Sequence, residues 1–282
     1  MHPPRTLPFL LALAALAALL LPSAPLAAPA AGTTAAVRAA RLEARGLVTY
    51  YELRGSGLPL LLLHGGAGDG RQFEHQVGAF ERSHRLIVPD CCCQGRTTCR
   101  DDSLTYHAMA EDMIALLDHL GVKQVDVMGW SDGGNIGLDL AMHHPDRVRR
   151  LVTFGANVDP TGLNEPDQRW AATATPDSLG PGTRAAWVAL APDTTRYVEA
   201  MTRVLALWRT QPRWTAADLA RIRARVLVCA GEHDLVRRDH TESIARAIPG
   251  ARLWIVPGAS HGAMLEKPEL VNARVLEFFS ER

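Results

Sequence analysis

Residues 124–134 read Gln124-Val125-Asp126-Val127-Met128-Gly129-Trp130-Ser131-Asp132-Gly133-Gly134, and the reading of this stretch decides the fold. Val125, Val127 and Met128 mark a short strand rich in β-branched and apolar residues. Gly129-Trp130-Ser131-Asp132-Gly133 is a Gly-x-Ser-x-Gly turn. From Asn135 to His143, the positions of Ile136, Leu138, Leu140, Ala141 and Met142 suit a helix buried on most of its surface, and Pro145 closes it. A serine between a strand and a helix sits on a sharp turn, and its flanks crowd the backbone so closely that glycine is needed there. Such a turn presents the serine Oγ at the top of a sheet, where a base can take its proton. Five residues alone are a short pattern; strand before and helix after give it meaning. A hydrolase is the first hypothesis for the chain.

Outward from the turn, the rhythm continues in both directions. Leu47–Leu53 alternates as a strand does and ends at Gly55-Ser56-Gly57. Leu58-Pro59-Leu60-Leu61-Leu62-Leu63 is a continuous apolar run, as expected of a strand buried on both faces of a parallel sheet. Arg85–Asp90 is a further strand, with a helical segment around Phe73–Phe80 before it. Thr105–Leu120 reads as an amphipathic helix with Met109, Met113, Leu116, Leu117 and Leu120 on one face, stopped by Gly121. Downstream come strands at 151–154, 226–229 and 253–256, then a last helix from about Pro268 to Phe279. Strands alternating with helices predict an α/β fold, a mostly parallel sheet flanked by helices.

One segment breaks the alternation. Residues 157–214 hold no strong strand, but they contain helix-like pieces at Ala185–Ala191 and Tyr197–Trp208, punctuated by Pro160, Pro166, Pro176 and Gly180-Pro181-Gly182. They read as a helical cap inserted between core segments 41–156 and 215–282. A cap in that place would cover Ser131 and shape a substrate pocket.

The chain has 282 residues, enough for one such domain with an insertion, and 30 Lys+Arg balance 30 Asp+Glu. Nothing in that balance favours a nucleic acid or an anionic membrane surface as partner; a small-molecule substrate is expected. At the start, Arg5 precedes an apolar stretch from Leu7 to Leu21, then Pro22–Ala30 rich in small residues, with Ala28-Pro29-Ala30 as an A-x-A-like cleavage site. Residues 1–30 read as a signal peptide, so the mature protein would be exported, periplasmic or secreted, without a stable membrane anchor. The alternative, an uncleaved anchor helix, is disfavoured by the short run and its closing prolines. Residues 31–40 are small and polar and read as disordered.

A serine hydroxyl needs a base, and the base works best when a carboxylate orients it. Gly231-Glu232-His233-Asp234 follows the strand at 226–229, and Gly258-Ala259-Ser260-His261-Gly262 follows the strand at 253–256. Ser131, Asp234 and His261 thus come in the chain order of one known arrangement of nucleophile, acid and base. With His64-Gly65-Gly66 after the apolar strand, and Pro89-Asp90 with Gly95-Arg96-Thr97, five motifs stand in order. The chain resembles the α/β-hydrolase family over nearly all of residues 41–282, and its Gly129–Gly134 and Phe154–Asn157 stretches are similar to the branch around valacyclovir hydrolase and biphenyl-hydrolase-like esterases.

That resemblance implies Ser131 as nucleophile, His261 as general base and then acid, and Asp234 as the group that holds His261. It implies an oxyanion hole from the backbone N–H groups of Gly66 and Asp132, with His64, Gly65, Trp130 and Asp132 against the substrate. Each role has a competitor. Glu232 and Asp159 also follow strands and could replace Asp234. His64 could simply position its turn. Asp132 could approach a cationic substrate group or be a solvent-facing acid favoured by the helix dipole.

Residues 91–93 are Cys91-Cys92-Cys93, where the family usually has a polar residue and then Arg-Gly. Export permits disulfides, and Cys99 could pair with Cys92 or Cys93, leaving Cys229 buried on its strand. No second cysteine pair at ligand spacing is present, so no metal is expected; no dinucleotide or phosphate-loop fingerprint appears, so no cofactor is expected either. The reading is a serine hydrolase acting on a carboxylic ester or lactone of a small molecule. An enol-lactonase, a carbon–carbon bond hydrolase or a cofactor-free haloperoxidase would use the same residues. A non-catalytic binding protein on the same scaffold is the reading of a different class.

Overall fold

The computed structural model describes residues 37–100 and 103–281; the signal segment read at 1–30 lies outside them. Among the described residues there are eight strands: β1 (Arg38–Ala44), β2 (Leu47–Arg54), β3 (Leu58–Leu63), β4 (His84–Pro89), β5 (Val125–Trp130), β6 (Val148–Phe154), β7 (Arg225–His233) and β8 (Arg252–Ser260). They form one sheet in the order β1-β2-β4-β3-β5-β6-β7-β8. β2 is antiparallel to both of its neighbours, and every pairing from β4 to β8 is parallel.

The leucine run explains the layering. Leu60, Leu61, Leu62 and Leu63 are all completely buried. Leu61 and Leu63 join the apolar cluster on one face of the sheet, and Leu60 and Leu62 join the cluster on the other. Successive side chains of a strand point to opposite faces, so a strand sandwiched between two helix layers must be apolar at every position. Burying each such side chain stabilises the fold by about 1.5–3 kcal/mol relative to leaving it exposed.

The helices are α1 (Glu74–Phe80), α2 (Tyr106–His119), α3 (Asp132–His143), α4 (Glu165–Thr173), α5 (Gly180–Val188), α6 (Tyr197–Thr210), α7 (Ala216–Leu219), α8 (Arg238–Ala247), α9 (Ala263–Glu266) and α10 (Pro268–Ser280). α2 starts where Thr105 accepts from the Ala108 N–H, a side-chain cap on an otherwise orphan donor. α4, α5 and α6 lie in the connection between β6 and β7, within residues 157–214. The base of that connection is clipped to the loop after β7: Asn164 N–H donates to Leu235 O (2.8 Å), and Arg237 N–H to Gly162 O (2.9 Å).

One expectation needs correction. The disorder expected at 31–40 does not reach its end, because Arg38–Ala44 is β1, paired with β2 from Arg38 opposite Leu53 to Ala44 opposite Leu47. Its side chains are exposed or half-buried, so this edge strand carries no apolar signature. α8 was not anticipated, since of its ten residues only Thr241 and Ile244 are buried.

The cysteine loop also resolves. Cys93 is disulfide-bonded to Cys99, and Cys91 and Cys229 are buried outside that bond. Cys93 has φ +65°, the left-handed conformation a glycine would adopt freely. The loop is closed around it by its own N–H donating to Thr98 O (3.0 Å), and the Trp187 indole of α5 donates to its carbonyl (3.2 Å).

Candidate active site

Ser131 stands between β5 and α3 with φ +53° and ψ −117°, a strained backbone of the kind that persists at functional turns. Neighbours on both sides enforce it. A methyl group at Gly129 would lie 2.2 Å from Gly133 O, and one at Gly133 would lie 1.9 Å from Leu63 O. The Ser131 N–H donates to Phe154 O (2.7 Å) on β6, and Ser131 O accepts the Asn135 N–H (3.0 Å) that starts α3.

The sheet brings Asp234 and His261 to the same end. His261 Nδ1 is 2.7 Å from Asp234 Oδ1. The Asp234 carboxylate is itself fixed by two backbone donors, Val236 N–H (3.0 Å) and Gly231 N–H (3.2 Å). The Trp130 indole, one residue before Ser131, donates to His261 O (2.8 Å). Gly155 packs so closely on the imidazole that a methyl there would come within 2.5 Å of His261 Cε1. Burial by itself would lower the His261 pKa, but the charge and hydrogen bond of Asp234, then Asp132 and Asp167, raise it above the ordinary histidine value. The competing carboxylates are engaged elsewhere: Glu232 accepts the Gly258 N–H (2.7 Å), and Asp159 accepts from Thr161 (2.7–2.8 Å).

Ser131 and His261 line one cavity of about 800 Å³, its mouth included, together with Gly65, Gly66, Trp130 and Asp132. The Gly65–Gly66 loop is braced by Gln72, whose Oε1 accepts the Gly65 N–H (2.9 Å). A methyl at Gly66 would lie 2.3 Å from Asp132 Oδ2, so this loop and the start of α3 are in close contact. His64 is not part of the cavity lining. Its ring is buried between Gly65 O (2.8 Å from Nδ1) and the Cys91 N–H, which donates to Nε2 (2.8 Å). The sequence expectation of His64 against the substrate is therefore corrected: it joins the β3 and β4 loops.

Asp132 is not solvent-facing. It is buried, and its carboxylate accepts from the Tyr106 hydroxyl (2.7 Å) and from the Trp208 indole N–H (2.9 Å to Oδ2). Burial raises its pKa, and those two donors only partly oppose this. Sequence reasoning missed the opposite wall, where the cap contributes Asp167, Trp170 and Trp208. Asp167 is 5% exposed, and its buried Oδ1 has no hydrogen-bond partner among the described residues. Burial raises its pKa as well, while Asn164 and His261 pull it down. No Lys or Arg lines the cavity among the described residues, so its polarity is acidic.

Comparison with known proteins agrees with this architecture. The model of the alpha/beta hydrolase family matches residues 60–274. The chain belongs to that family. RutD of Caulobacter sp. (strain K31), a protein provisionally named a carbamate hydrolase, is 30% identical over 266 residues, covering 82% of this chain and 95% of that one. The human serine hydrolase BPHL is 27% identical over 276 residues, with 90% of each chain covered. Among solved structures, a hydrolase from Pseudomonas aeruginosa PA01 is 25% identical with a TM-score of 0.70, covering 86% of this chain and 98% of that one. This chain is a hydrolase of the same family.

Proposed function

We propose that the protein is a serine hydrolase that cleaves a carboxylic ester or lactone of a small molecule through an acyl-enzyme. The observation that carries the reading is the His261–Asp234 pair at 2.7 Å, opening on the same cavity as a serine strained to φ +53°. Asp234 occupies Nδ1, so Nε2 is the nitrogen that takes the Ser131 proton. The alkoxide attacks the carbonyl carbon, and the oxyanion is received by the Gly66 and Asp132 backbone N–H groups. Losing one such donor costs about 2.7–4 kcal/mol in the barrier. The imidazolium then protonates the leaving oxygen. Water, deprotonated by the same nitrogen, hydrolyses the acyl-enzyme and restores Ser131.

The acidic lining bears on the substrate. Two carboxylates with no facing Lys or Arg suit a neutral or cationic molecule and oppose one that itself carries a carboxylate. Export is part of the proposal: the 1–30 segment has the form of a signal, and a Cys93–Cys99 disulfide suits an oxidising compartment.

A fluorophosphonate probe should label Ser131, and Ser131→Ala should remain folded while losing turnover of p-nitrophenyl esters by on the order of 10⁶ in kcat. A folded protein that resists the probe, or a Ser131→Ala variant with full activity, would overturn the proposal. A panel of short acyl esters, lactones and carboxylate-bearing esters then ranks the substrate class.

A further inference from the structure

Away from the cavity, α2 and α3 bring two histidines and a carboxylate together. His107 lies in the first turn of α2, and Asp139 and His143 lie four residues apart near the end of α3. His107 Nδ1 is 2.9 Å from Asp139 Oδ1, and His143 Nδ1 is 3.1 Å from the same oxygen. The three candidate donor atoms all lie within 4.8 Å of one another. The Asp139 side chain is 2% exposed, while the two imidazoles reach solvent. Its ion-pair partners among the described residues are these two imidazoles, not an arginine or lysine. A buried carboxylate without a permanent cation is costly to the fold.

We propose that His107, Asp139 and His143 form a binding site for a divalent first-row transition metal, with Zn²⁺ as its probe. Two imidazole nitrogens and one carboxylate oxygen suit zinc and its neighbours better than magnesium or calcium, which prefer all-oxygen shells. Donors 2.0–2.1 Å from a tetrahedral ion stand about 3.3 Å apart, so the N–O separations need to open by only a few tenths of an ångström. The ion takes the place of the hydrogen-bonding proton at each Nδ1; each imidazole stays neutral by carrying its one proton on Nε2, and the second proton of any imidazolium is released to water. Water fills the remaining position from the exposed side. Glu111, one turn beyond His107 and hydrogen-bonded to His144 (2.5 Å), adds negative charge nearby.

The position gives the ion a role. Tyr106, next to His107, donates to Asp132 at the other end of α3 (2.7 Å). An ion held between His107 and α3 would brace the two helices whose first turns meet beneath the cavity, without touching substrate.

The test is calorimetric titration of Zn²⁺ into the chelator-treated, tag-free protein, with thermal unfolding followed in parallel. One equivalent should bind, and Tm should rise with Zn²⁺ but not with Mg²⁺. His107→Gln and His143→Gln change exposed side chains; circular dichroism establishes their fold, and each should weaken Zn²⁺ binding at least tenfold and abolish the Tm rise. Absence of saturable Zn²⁺ binding to the parent protein overturns the site. So does undiminished binding in both folded variants, which would move the zinc to other histidines.

Discussion

The two walls of the cavity are built by different means. On the sheet side, a main-chain group takes part in fixing each residue of the proposed triad: Ser131 N–H donates to Phe154 O, the Gly231 and Val236 N–H groups donate to Asp234, and His261 O accepts from the Trp130 indole. On the cap side, side chains hung on helices do the work. Trp208 reaches across to Asp132, Trp170 lies 6.4 Å from Trp208 between ring centroids, and Asp167 leaves one buried oxygen without a hydrogen-bond partner among the described residues. Groups that carry chemistry must hold position to a fraction of an ångström, and strand ends with backbone donors supply that. Groups that select a substrate can sit on an insertion whose sequence changes without disturbing the sheet.

The difference predicts a sharp gradient in mutational effect. Asp234→Asn keeps the shape of the carboxylate but lets His261 Nδ1 lose its acceptor, so the imidazole no longer holds the tautomer that exposes a basic Nε2. The expected loss is about 10⁴ in kcat with KM little changed. Steady-state kinetics on a p-nitrophenyl ester measure it. A loss below tenfold would mean that the carboxylate is not part of the reacting set. The same change at Glu232 or Asp159, which serve Gly258 and Thr161, should leave kcat within about a factor of two.

This gradient also explains what could be read in advance. The sheet wall is legible because its constraints fall on residue type. Gly129 and Gly133 have no alternative where a methyl would meet a carbonyl at about 2 Å, and four leucines in a row mark a strand with no solvent face. β1 was not legible, because an edge strand with exposed or half-buried side chains carries almost no apolar pattern, and α8 was not, because it buries only Thr241 and Ile244. Asp167 was not legible for another reason. An acid in the first turn of a helix is ordinary at the surface, and only the packing of the cap over the sheet buries this one. Asp132 shows the same gap: its position beside Ser131 was evident, but the Tyr106 and Trp208 donors come from 26 and 76 residues away.

The loop of Cys93 and Cys99 sharpens the comparison, because it belongs to the core but touches the cap through Trp187. The bond closes a separation of six residues. Chain-entropy reasoning gives about 2 kcal/mol for so short a loop. Cys99→Ser should lower the free energy of unfolding by about that amount, measured by urea denaturation at pH 7, with kcat nearly unchanged. A large fall in kcat instead would show that the loop transmits to the catalytic wall and that the two walls are less separate than their contacts imply.

The smallest expected effect is the most informative about how the walls communicate. Asp167 is on the cap, yet its charge is among the influences that raise the His261 pKa, after Asp234 and Asp132. The base must be neutral to accept the Ser131 proton, so kcat/KM should rise with pH along a limb centred above the ordinary histidine value of about 6.5. Asp167→Asn removes one anion that favours the imidazolium. The folded pKa of His261 then falls, and the limb moves to lower pH. The plateau rate for a neutral ester should fall only slightly, since Asp234 remains in contact with the ring. A cationic ester should lose more, because the same substitution removes negative charge from the pocket that holds it. A limb that stays in place while discrimination between cationic and neutral esters disappears would assign Asp167 to the substrate alone. A limb that moves while discrimination persists would assign it to the base. Both changes together would mean that the cap tunes the chemistry as well as choosing what reaches it.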